Sequence, residues 1–168
     1  TLLDYGAGNV RSVINAIEHL GETVSLVTNA ADIERAERLV FPGVGNFGML
    51  MHSLREKGLR EPLTRYLQSG KPFFGICVAL QALFESSEEV PEEPGLGILP
   101  GHVQRFTCDL AVPHIGWNGI KARQASPIFK GLNGREKFYF IHSFHVVPAT
   151  AEAILTTTDY EYEFVSAV

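Results

Sequence analysis

Residues 72–84 read PFFGICVALQALF: an apolar run, a glycine, one cysteine and then the opening of a helical pattern. Pro72 to Ile76 has the length and composition of a strand buried on both faces, and the residues beyond Cys77 start a helix. A cysteine on such a sharp strand-to-helix turn is pushed outward. Its sulfur then lies beside the first unpaired amides of the helix, where the dipole favours thiolate, in the geometry of a nucleophile elbow. Elbows carry small residues two before and two after the nucleophile, here Gly75 and Ala79. Read locally, a buried and inert cysteine fits the same pattern equally well.

The flanking sequence repeats the strand-then-helix order. TLLDYGAGN runs from a short strand into a glycine turn, with Asn9 placed to cap a helix carrying Val10, Val13, Ile14, Ile17 and Leu20, and Gly21 closing it. A strand over residues 23–27 and a polar helix over residues 30–37 follow. Residues 38–48, RLVFPGVGNFG, then give a buried strand ending in a second glycine loop. Apolar residues at Phe47, Leu50, Met51 and Leu54, and at Leu59, Leu63 and Leu67, predict two further helices. Nearly all-apolar strands alternating with helices describe an α/β fold, a doubly wound and mostly parallel sheet flanked by helices. Past about Gly95 the helical period fades. Runs at residues 103–106, 138–147 and 153–157 predict strands, some antiparallel. With no repeat, low-complexity tract or linker, residues 1–168 are expected to form a single domain.

Composition excludes several roles. In 168 residues, 45% hydrophobic and 20% charged, the chain can bury a sizeable core, roughly 70% of the unfolded surface. A net charge of −5 provides no basic footprint for nucleic acid or an anionic membrane. Cys77 and Cys108 are far apart and form no CxxC pair, which points to a reducing compartment. A cytoplasmic location is expected, or a plastid one if a transit peptide has been removed from ahead of Thr1. No metal site and no cofactor is expected.

In open α/β sheets ligands gather beyond the carboxyl ends of the strands, where both PGVG and GICVALQ fall. The glycines of PGVG let backbone amides face an anion, and with the amide of Val78 they could hold a tetrahedral oxyanion. A plain tight turn is the commoner use of such a loop.

DYGAGN, FPGVGNFG, GICVALQALFE, VPHIGWN and YFIHSF in this order resemble the class I glutamine amidotransferases, and more narrowly the glutaminase of imidazole glycerol phosphate synthase in histidine biosynthesis. The resemblance implies that Cys77 attacks the side-chain amide of glutamine and forms a glutamyl thioester. It implies an oxyanion hole from the amides of Gly45 and Val78. Gln81, Glu89, Ser143 and Phe144 would hold the glutamine, with Glu89 receiving the α-ammonium. On sequence alone, Glu85, Glu88, Glu89, Glu92 and Glu93 read as a solvated charge run. Asn9, Ser12, Trp117, Asn118 and Tyr139 would face a partner, a (βα)8 cyclase that is either a separate subunit or fused.

Two departures stand out. Ala79 occupies a position where the family generally has glycine. No His-Pro-Glu occurs, although the family takes its general base and orienting carboxylate from that motif, just beyond the segment matched by EFVSAV. The sheet is therefore expected to lack a last strand and helix, and the 168 residues alone to show little glutaminase activity, since general acid-base help is worth about 10² to 10⁴ in rate. His142 reads as a structural strand histidine, with a substitute base as the second reading. A non-catalytic partner-binding module and a cysteine hydrolase of another amide remain as alternatives.

Overall fold

The apolar runs of the N-terminal half pair in parallel. In the computed structural model, which describes residues 1–168, β1 (Leu2–Leu3), β2 (Leu26–Val27), β3 (Leu39–Gly43) and β4 (Phe73–Cys77) form one sheet in the order β2-β1-β3-β4. Between them run α1 (Val10–His19), α2 (Ala30–Arg35), α3 (Phe47–Glu56) and α4 (Arg60–Gln68), followed by the short α5 (Val78–Gln81). Asn29 and Asn46 cap α2 and α3, their Oδ1 atoms accepting from the amides of Asp32 at 3.1 Å and Met49 at 2.8 Å. Asn9 precedes α1 but makes no capping bond, contrary to expectation. Its φ/ψ of −84°/54° is not the extended conformation that aims the other two side chains at the helix amides.

Leu3 and Phe41 from the sheet, with Tyr5 just beyond β1, pack with Phe47, Leu50, Met51 and Leu54 of α3, Leu63 and Tyr66 of α4, and Val78, Ala79 and Ala82 at the elbow, within one buried cluster. The apolar stripe of α1 behaves differently, with no residue of that helix buried.

The C-terminal half is almost entirely β. β5 (Ser86–Ser87), β6 (Gly101–Arg105), β7 (His114–Asn118), β8 (Lys121–Ala122), β9 (Phe138–His142), β10 (Phe144–Pro148), β11 (Thr156–Tyr160) and β12 (Tyr162–Ala167) follow in turn. Six of them form a second sheet, β5-β6-β10-β12-β11-β8, antiparallel except for β5 with β6. β7 and β9 form a separate antiparallel ribbon. The apolar stretch 138–147 is thus divided at Ser143, one part pairing with β7 and the other with β6 and β12. The strand expected at 153–157 begins only at Thr156, because Thr156, Thr157 and Thr158 are the buried residues there, β-branched but polar, and do not register as an apolar run. No helix is long and apolar enough to cross a membrane.

Candidate active site

Gly43 of β3 pairs in register with Cys77 of β4, so the PGVG loop and the cysteine leave the sheet at the same edge. Cys77 has φ 58° and ψ −118°, a conformation that a residue with a Cβ adopts only when its surroundings impose it. The imposing contacts are close. A Cβ on Gly43 would lie 2.5 Å from the amide nitrogen of Ala79 and 2.7 Å from Cγ1 of Val78, so only glycine lets β3 pass under the elbow. Val78 and Ala79 are both buried in the core cluster, and the methyl of Ala79 is accommodated there.

The electrostatics differ from the sequence expectation. Cys77 is solvent-exposed at the elbow, yet the protein packed around it partly desolvates the sulfur and raises the thiol above its ordinary pKa, and the hydrogen bond from the Val78 amide only partly offsets this. α5 has four residues, too few for a helix dipole to overcome the desolvation. Burial likewise raises the Tyr5 phenol, whose oxygen accepts from the Val44 amide at 3.4 Å. The Val44 N–H is thus engaged by Tyr5, whereas the N–H of Gly45 has no partner within the chain.

Cys77, Gly45, Val78, Gln81, Glu89, Ser143 and Phe144, drawn from four separate stretches of sequence, line one cavity of about 240 Å³. Pro113, Ile141 and His142 complete its wall. Ile141 and His142 point to opposite faces of β9, yet both reach the cavity because the strand ends there and the chain bends at Ser143. Strand alternation could not reveal that, and Pro113 carried no signal. A wider, open depression of about 660 Å³ along Ala122–Lys130 contains none of these residues.

Gln81 donates from Nε2 to the carbonyl of Phe144 at 3.3 Å. Glu89 accepts the amide of Phe47, at the start of α3, on Oε2 at 2.8 Å. The acidic run keeps Glu85, Glu88 and Glu92 exposed, as expected of a solvated face, but several of its carboxylates are also tied to the fold. Glu85 accepts from the Gly101 amide at 2.9 Å, Glu88 from the Arg105 amide at 2.8 Å, and Glu93 pairs with Arg55 at 2.6 Å. The segment folds back across α3 and β6, where backbone amides and Arg55 supply the donors.

On the β7–β9 ribbon Trp117 lies opposite Tyr139, their rings edge to face at 5.5 Å and both exposed. Ile115 and Ile141 form the adjacent, equally exposed pair, which the sequence reading missed. Asn118 is pinned within the chain: its Nδ2 donates to the Asp159 carbonyl at 2.8 Å and its Oδ1 accepts from Gly119 at 2.8 Å. Asn9 and Ser12 are exposed at the start of α1 and do not line the cavity.

A parallel sheet delivering a cysteine elbow and a glycine loop to one cavity is the arrangement of an amidotransferase, and the glutamine amidotransferase class-I family profile matches residues 1–167; the chain belongs to that family. Within it, relatives of this chain include imidazole glycerol phosphate synthases. The hisHF protein of Schizosaccharomyces pombe is 49% identical across 100% of this chain and 32% of its own length, and the chloroplastic hisHF of Arabidopsis thaliana is 44% identical across 100% and 29%. Subunit HisH of Syntrophotalea carbinolica is 44% identical across 99% of this chain and 84% of its own length. The chain thus spans about a third of the hisHF relatives and most of the HisH subunit. A crystal structure of a glutamine amidotransferase superposes with a TM-score of 0.68 at 19% identity, covering 99% of this chain and 89% of that one. It shares the fold.

Proposed function

We propose that this chain is a glutaminase domain supplying ammonia for imidazole glycerol phosphate synthesis. The observation that carries the reading is the convergence of Cys77, Gly45, Val78, Gln81, Glu89, Ser143 and Phe144 on one cavity. Sγ of Cys77 bonds to the side-chain carbonyl carbon of glutamine, the C–N bond breaks, and the thiol proton leaves with the nitrogen as ammonia. Water then cleaves the thioester, releasing glutamate and restoring the thiol. The free N–H of Gly45 and that of Val78 hold the oxyanion of each tetrahedral intermediate. Glu89, fixed by its bond to Phe47, offers its other oxygen to the α-ammonium.

The exposed Ile115, Trp117, Tyr139 and Ile141 adjoin the cavity mouth through Ile141, and they suit a docking face for a (βα)8 cyclase that receives the ammonia, fused or separate. The test is labelling by 6-diazo-5-oxo-L-norleucine, a glutamine-shaped diazo-ketone. Stoichiometric alkylation of Cys77, blocked by L-glutamine and abolished in Cys77→Ser, is expected. Labelling that glutamine does not slow would sink the reading.

A further inference from the structure

The cavity wall facing the elbow is organised by two histidines. Nδ1 of His142 lies 2.8 Å from the carbonyl oxygen of Phe144, and its Nε2 lies 3.3 Å from Nδ1 of His114. A carbonyl can only accept, so Nδ1 of His142 carries the proton. In the neutral ring Nε2 is then a lone pair, and it accepts from the Nδ1–H of His114. Burial holds both rings in this neutral form, lowering the pKa of His114 and taking that of His142 down to about 4.

Phe144's carbonyl takes a second donor, Nε2 of Gln81 at 3.3 Å. The polar atoms therefore run in one series, His114 to His142 to the Phe144 carbonyl, with Gln81 closing on the same oxygen. With one Nε2–H tied down, the plane of the Gln81 carboxamide is set, and its oxygen and second N–H are the groups presented to a ligand. The rings cannot easily swing, since His114 stacks on Tyr160 at 4.0 Å and His142 packs edge-on against Phe106 at 5.1 Å.

We propose that His142, oriented by His114, is a positioning residue that fixes the Phe144 carbonyl and through it the Gln81 carboxamide, setting affinity for glutamine without acting on the Cys77 thiol. This rests on the glutamine reading of the cavity. A proton-accepting role is disfavoured by the geometry: both ring nitrogens are engaged elsewhere, and no hydrogen bond joins His142 to Cys77.

Two alkylating agents separate affinity from thiol reactivity: the diazo-ketone, which needs the glutamine site, and iodoacetamide, which does not. His142→Phe keeps the ring but loses the donor. It should raise the half-saturating diazo-ketone concentration about tenfold, the size of one lost hydrogen bond, with the maximal labelling rate and the iodoacetamide rate within about twofold. His142→Asn, whose amide nitrogen can replace Nδ1–H, should stay near the parent. Gln81→Ala should raise half-saturation at least as much as His142→Phe, and the double variant should lose nothing beyond Gln81→Ala alone. Unchanged half-saturation in His142→Phe, or a fallen iodoacetamide rate, overturns the proposal. Nitrogen-15 spectra should show the Nδ1–H tautomer for both rings, and an Nε2–H tautomer at His142 also overturns it. If the diazo-ketone labels no form of the protein, the glutamine reading itself fails. The Gln81 side-chain amide resonances then still decide the positioning role, moving in His142→Phe and not in His142→Asn if the proposal holds.

Discussion

The two walls of the cavity are held by opposite means. The elbow wall is steric: Gly43 lies under Ala79 and Val78 with no room for a methyl, and Cys77 keeps its unusual backbone because the core around it is packed. The β9–β10 wall is polar: His142 and Phe144 are placed by hydrogen bonds that depend on which histidine nitrogen bears a proton, and the Phe144 carbonyl in turn holds Gln81 of α5. A steric wall fails abruptly when volume is added. A polar wall weakens gradually as donors are lost or the medium is acidified.

The largest effect is expected from adding volume to the first wall. In Gly43→Ala the new methyl meets backbone nitrogen at 2.5 Å, a contact that no side-chain rotation relieves. A loss of about 3 kcal/mol in urea unfolding is expected, together with near-complete loss of diazo-ketone labelling as the elbow shifts. Parent-like stability with parent-like labelling would show that the wall is more pliable than its packing implies.

Acid should act on the second wall. The native pKa of His142, about 4, lies below the ordinary histidine value of 6.5, so the unfolded chain takes up the proton first as pH falls. The stability linked to neutral His142 is present above pH 6.5 and is lost progressively down to about pH 4, to a total of about 3 kcal/mol at most. His114 and His145 are displaced in the same direction by burial and add to the slope. Urea midpoints at pH 7, 5.5 and 4.5 should fall less steeply in His142→Phe than in the parent, and equal slopes would contradict the assignment.

Ala79→Gly tests the steric wall in the opposite sense, by removing volume. Ala79 is fully buried in α5, so the variant loses one methyl of burial and some helix propensity. Destabilisation of about 1 to 2 kcal/mol is expected, with iodoacetamide and diazo-ketone rates within about twofold. A markedly faster rate would mean that the alanine methyl restrains the thiol.

The difference between the walls also governs what the sequence disclosed. The elbow could be read because its signature is local: an apolar strand with Gly75 and Ala79 around Cys77 sits within one short window, although the need for glycine at position 43 emerges only from the β3–β4 register. The second wall could not, because His114 and His142 are 28 positions apart and meet only through the β7–β9 register. The acidic run was legible as charge but not as structure, since its donors belong to α3 and β6. α1 and α3 carry similar apolar stripes, and nothing in periodicity told that α3 would be buried and α1 left at the surface. The thiolate expectation failed for a related reason: a strand-helix junction signals a dipole, but neither the length of α5 nor the desolvation of the thiol by its neighbours is written at the junction.

The smallest effect on the chain itself is expected on the outer face of the β7–β9 ribbon, which belongs to neither wall. Trp117 is 71% exposed and meets Tyr139, itself 54% exposed, edge to face. Trp117→Ala therefore removes one edge-to-face contact and little burial, and should change stability by less than about 1 kcal/mol. If this face docks a cyclase, the same substitution should weaken that complex by 2 kcal/mol or more, roughly thirtyfold or greater in Kd, because an aromatic anchor contributes only once water is excluded around it. Calorimetric titration with a (βα)8 cyclase, beside urea unfolding of the free chain, separates the two. Unchanged affinity would remove Trp117 from the interface, and a large loss of intrinsic stability would show that the ribbon holds the fold rather than a partner.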